Sequence, residues 1–145
     1  LSHLRIFSLA AAASVYVLMV IGAYVSSIGA GMACGRDWPL CEGRILPRPD
    51  PLVLAEYTHR VFTLLVTFFV LGTAVMAFRD RRSNGRVVAP ATLASIILIT
   101  QILVGMLVVA TEIEPMLRTL HLALATALFG ASLITAVLAH SPQQS

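Results

Sequence analysis

The sequence predicts an all-α integral membrane protein: a four-transmembrane-helix bundle with a folded extracytoplasmic loop between helices 1 and 2. Three observations carry that expectation. The chain is 58% hydrophobic and 12% charged, and its mean hydropathy of +0.88 is too high for an ordinary soluble domain and too regularly interrupted for a disordered one. No Asp, Glu, Lys or Arg lies between Arg5 and Arg36, between Arg60 and Arg79, between Arg86 and Glu112, or after Arg118, which leaves four uncharged runs. A hydrocarbon core about 30 Å thick takes roughly 20 helical residues, whereas barrel strands would need a period-2 alternation that is absent.

These runs place helices near 5–28, 55–78, 88–110 and 118–140, with an outer loop at about 29–54, in a single membrane domain over 1–145. The first run is longer than the 7–15 residues of a signal-peptide core, so it is expected to be a retained helix. The chain opens on Leu1 rather than Met, which leaves open whether residues precede it. Helix 1 is rich in Ala, Ser and Gly, the residues that let helices approach closely in lipid.

The stretch from Cys34 to Arg60, CGRDWPLCEGRILPRPDPLVLAEYTHR, holds both cysteines and the sole tryptophan. Its glycines and prolines break helix, while Trp38, Leu40, Ile45 and Leu46 suit a lid folded against the membrane interface. Cys34 and Cys41 enclose six residues, a spacing that can close a small ring. A structural disulfide, a redox-active one and free thiols are the three readings, and structural zinc lacks the further ligands it needs.

Helix 2 is headed by Glu56-Tyr57-Thr58-His59-Arg60. The three- and four-residue spacings put Glu56, His59 and Arg60 on neighbouring helical positions, and an ionisable trio at a membrane edge points to function. Orientation rests on arginine, because the chain has no lysine. Arg79, Arg81, Arg82 and Arg86 crowd the loop between helices 2 and 3, as the positive-inside rule expects of a cytoplasmic loop. Five arginines fall on each side, and the cysteine pair, which persists as a disulfide only outside the cytosol, breaks the tie. The expectation is a multi-pass protein of the cell membrane with both termini cytoplasmic and the cysteine loop outside. The lipid bilayer is its environment, and no nucleic-acid partner is expected.

Helix 3 offers Gln101 and threonines as its polar interior groups, and helix 4 opens Arg118-Thr119-Leu120-His121. His59 lies 20 residues before Arg79 and His121 lies 19 before His140, so the two imidazoles stand at nearly one height on two parallel helices. Two His at common depth are what axial ligation of a haem requires, with Arg60 and Arg118 as propionate candidates. His3 and His140, at the other boundary, are read as ordinary interfacial side chains. A weak repeat supports two related halves: Val20-Ile21-Gly22-Ala23-Tyr24-Val25 and Leu103-Val104-Gly105-Met106-Leu107-Val108 each precede an outer loop and a His-headed helix.

The run Gly22-x-x-Val25, Gly29-x-Gly31, Cys34, Trp38-Pro39-x-Cys41-x-Gly43 and Glu56-Tyr57-x-His59-Arg60, with His121 heading helix 4, resembles the haem A synthase family. In particular it resembles members with a cysteine pair in the first outer loop. The resemblance implies oxidation of a ring methyl of haem O to a formyl group, giving haem A for terminal oxidases. It further implies Glu56 as catalytic carboxylate, His59 and His121 as haem iron ligands, and haem b as cofactor. A haem O-producing farnesyltransferase and a terminal oxidase are the partners it suggests. Family members have eight helices in two halves, and this chain resembles the half that bears the cysteines and the glutamate. A homodimer would restore eight helices, with Gly22, Ala23 and Gly105 as its expected close-contact surfaces. Glu56 orienting His59 is the competing role for that residue. A non-catalytic bis-His membrane cytochrome b and a four-helix thiol oxidoreductase are the competing functions.

Overall fold

A computed structural model describes residues 3–142, apart from the side chains at 83 and 84. Helix 1 is His3–Ser27, helix 2 Pro51–Arg79, helix 3 Val88–Ala110 and helix 4 Pro115–His140. All four are long and apolar enough to cross a membrane. A short helical turn, Arg81–Asn84, and a 3-10 turn, Gly85–Val87, join helices 2 and 3.

Helices 2 and 4 begin earlier than the charge gaps suggest, because a carboxylate caps each. Asp50 accepts from the amides of Leu52 and Val53 at 3.0 and 3.2 Å, with Pro51 opening the helix. Glu114 accepts from Leu117 at 2.7 Å, with Pro115 opening helix 4. Both follow the usual logic of an oxygen on orphan amides and a proline whose missing N–H costs nothing there. A search for uncharged runs starts each helix after its capping charge and so starts it late.

Each helix packs on its sequence neighbours, and helix 1 also packs on helix 4, which closes the ring. Helices 2 and 4 are therefore diagonal partners, as are helices 1 and 3. The middle of the bundle is filled by Val15, Val66, Val70, Leu98 and Leu128, with Ala11, Ala94 and Ala131 allowing close approach. The outward faces carry large apolar side chains such as Leu9, Leu64, Phe68, Ile99 and Val137, fully in keeping with lipid-facing spans. Hydroxyls within the spans, including Thr63, Thr67, Thr73 and Thr135, bond the carbonyl four residues back. That spares an unpaired donor in hydrocarbon. At the arginine-loop end Arg5 donates to Ala139 O at 3.1 Å, and Arg86 to Ser141 O and Pro142 O at 2.8 Å each, tying both neighbours to the end of helix 4.

Candidate functional site

The polar chemistry gathers at the opposite end, under the cysteine loop. Cys34 and Cys41 are joined by a disulfide with a Cα–Cα distance of 4.5 Å, and both are fully buried against Val53 of helix 2. Gly35 turns the chain after Cys34 at a φ of 69°, a conformation natural to glycine. The loop is folded onto helix 2 rather than tethered loosely: Tyr57 donates its hydroxyl to Ile45 O at 2.8 Å.

Glu56 is 4% exposed. Its Oε2 accepts the backbone N–H of Cys34 at 2.7 Å, and its Oε1 accepts Arg60 Nε at 3.1 Å and Nη2 at 2.5 Å. Because helix 2 starts at Pro51, Glu56 sits in its second turn, and the four-residue spacing brings Arg60 alongside. Arg60 also donates to Asp37 O at 2.7 Å, to Leu40 O at 2.6 Å and to Gly35 O at 3.3 Å. A buried ion pair tolerates loss of water only when its remaining donors are satisfied, and here the loop carbonyls satisfy them. Among the described residues no hydrogen bond joins Glu56 to His59.

The second loop closes beside the first. Arg36 pairs with Glu112, and a Cβ at Gly31 would stand 3.1 Å from Ile113 Cδ1. Arg118 is exposed, and its side chain has no hydrogen-bond or ion-pair partner among the described residues.

Beneath the loops lie the histidines. A Cβ at Gly22 of helix 1 would be 3.0 Å from His59 Cε1 and 3.5 Å from its Nδ1, and one at Gly105 of helix 3 would meet His121 at the same 3.0 and 3.5 Å. Each imidazole thus presents its Cε1 edge to a glycine of the preceding helix, in two closely matching arrangements. Each glycine is five residues short of its helix's end, Ser27 or Ala110. The two histidines stand on helices 2 and 4, the diagonal partners of the bundle. Both Nδ1 atoms are buried without a partner, and His121 Nε2 faces the Gln101 amide nitrogen at 3.4 Å. His140 Nδ1 donates instead to Ala136 O, at the far end.

The structure therefore seats His59 and His121 alike, each against a glycine of the preceding helix, and separately brings together Glu56, Arg60 and the cysteine loop. Gly22 and Gly105 face inward onto the imidazoles, so they do not form the outer contact surfaces expected of them in a dimer. Gln101 was legible only as an interior polar residue; its place four residues before Gly105 puts it one turn away on the same face. Among the described residues, no group of three or more His, Cys, Asp or Glu is placed to hold a bare metal ion.

The cytochrome oxidase assembly protein family, COX15-CtaA, matches residues 48–145, which takes in helices 2 to 4. Over 143 residues the chain is 32% identical to a protein named Heme A synthase from Bacillus pumilus, covering 98% of this chain and 47% of that relative. It is 30% identical to the Heme A synthase of Lysinibacillus sphaericus over 137 residues, 94% of this chain and 45% of the relative. The Heme A synthase of Exiguobacterium sibiricum is 30% identical over 139 residues, 93% and 46% of the two chains. The chain spans about half the length of the curated relatives it matches.

Proposed function

Since the chain belongs to the cytochrome oxidase assembly protein family, COX15-CtaA, we propose that it carries out haem A synthase chemistry, oxidising the ring methyl of haem O to a formyl group for a terminal oxidase. The observation that supports this reading best is the matched seating of His59 and His121 on Gly22 and Gly105. Two nitrogen donors at one height on diagonal helices, within an interior of small and apolar side chains, fit a haem held between them.

In this reading His59 and His121 hold the substrate macrocycle, whose iron supplies the oxidising chemistry once loaded. Glu56 stands one turn from His59 toward the loop. Both of its oxygens already hold N–H donors, so it acts through its charge and through the loop it anchors more readily than by taking up a proton. Arg60 is committed to Glu56 and the loop carbonyls, which leaves the free guanidinium of Arg118 as the better propionate partner. A haem b cofactor alongside the substrate would need axial ligands beyond His59 and His121, and a second copy in a homodimer would supply another such pair. The disulfide and the arginine loop at the opposite end support a cysteine loop outside the cell membrane and termini in the cytoplasm.

The test is to supply haem O to the purified, detergent-solubilised protein and identify the extracted haems. Formyl-bearing haem A is the expected product. Haem bound through both histidines with no formyl product, under reducing and oxygenated conditions alike, would replace this reading with that of a non-catalytic bis-His cytochrome.

A further inference from the structure

The two His–Gly pairs match, but their surroundings differ at one polar group. Four residues before Gly105 stands Gln101, whose amide nitrogen is 3.4 Å from His121 Nε2; four before Gly22 stands Leu18, an apolar side chain packed against the core. His59 thus has no counterpart of Gln101. The consequence follows from the chemistry of the ring. An amide N–H can only donate, so it takes up the Nε2 lone pair, the pair a metal would use, and the ring proton sits on Nδ1. With the amide reversed, Oε1 gains the partner it otherwise lacks, and Nε2 carries a proton instead. In either orientation Gln101 withdraws Nε2 from a metal.

We propose that Gln101 is a positioning residue that competes with the haem iron for Nε2 of His121, making His121 the displaceable axial ligand and His59 the firm one. The exchange balances without proton transfer: the iron–Nε2 bond breaks as the amide N–H becomes the partner of the same lone pair. Its use is access. An iron held by two histidines has no open face for an oxidant, and a ligand that can be parked on a neighbouring amide opens one. The inference rests on the haem reading above.

The experiment loads the full chain with iron protoporphyrin in detergent and measures the ferric spin state and the rate of carbon monoxide binding to the ferrous form. Gln101→Leu should raise the low-spin fraction and slow carbon monoxide binding by about tenfold, roughly the effect of one lost net hydrogen bond, with haem content unchanged. In a His121→Ala background Gln101→Leu should change neither readout. Equal spin state and carbon monoxide rate in Gln101→Leu and the parent would overturn the proposal, as would loss of haem in Gln101→Leu, or the same effect with and without His121. A parent protein with no His59-dependent haem spectrum would overturn the haem reading itself, and this inference with it.

Discussion

The backbone amide of Cys34 donates to the buried carboxylate of Glu56 at 2.7 Å, across 22 residues of sequence. With Arg60 on the other oxygen, this carboxylate connects the disulfide loop to helix 2. Glu56→Ala would leave the Arg60 guanidinium buried and unpaired, and should destabilise the solubilised protein by about 3–5 kcal/mol. The Glu56→Ala, Arg60→Ala double variant should lose clearly less than the sum of the two singles. Simple additivity in denaturant unfolding would mean that the pair does not hold the loop.

Cys34 and Cys41 close a ring seven positions apart in sequence. Reduction should cost about 2–3 kcal/mol by the chain-entropy estimate, and the cost should fall on the loop. Hydrogen exchange should rise over residues 35–46 and stay unchanged in helices 3 and 4. Equal loss of protection throughout the bundle would place the disulfide at the centre of global stability instead.

Gly22→Ala and Gly105→Ala each place a methyl 3.0 Å from an imidazole carbon, so the ring must give by a few tenths of an ångström. Each should cost about 1–3 kcal/mol and shift the spectrum of bound haem to a similar degree. Gly130 of helix 4 has nothing within 4 Å of its Cβ position, so Gly130→Ala should be silent spectrally and stabilise by about 1 kcal/mol. Spectra unchanged in both the Gly22 and Gly105 variants would separate the histidine seats from the haem site.

His59→Ala should abolish the haem spectrum, and His121→Ala should convert it to a form that binds carbon monoxide freely. His140→Ala should leave it intact, because that ring is turned to Ala136 O at the other end of the bundle, and so should His3→Ala. Unchanged spectra in His121 variants would show that common height alone misidentified the ligand.

From the sequence alone came the quantities that depend on one helix at a time. Charge gaps marked the four spans, since a charge in hydrocarbon is costly wherever the neighbours stand. The residue count put His59 and His121 at matching offsets along their helices, 20 residues before Arg79 and 19 before His140, because rise per residue is a property of the backbone. The spacing of Glu56 and Arg60 made them a same-face pair. The tertiary structure decided what each group faces. Glu56 turns to Cys34 of the loop with no bond to His59, Arg60 is spent on loop carbonyls 20 to 25 residues away, and the repeated glycines prove to be seats for imidazoles rather than outer contact surfaces. Gln101 meets His121 for the same reason. Helical periodicity gives height and relative angle within one helix, while the rotation of each helix against the next is set by side-chain packing between segments distant in sequence.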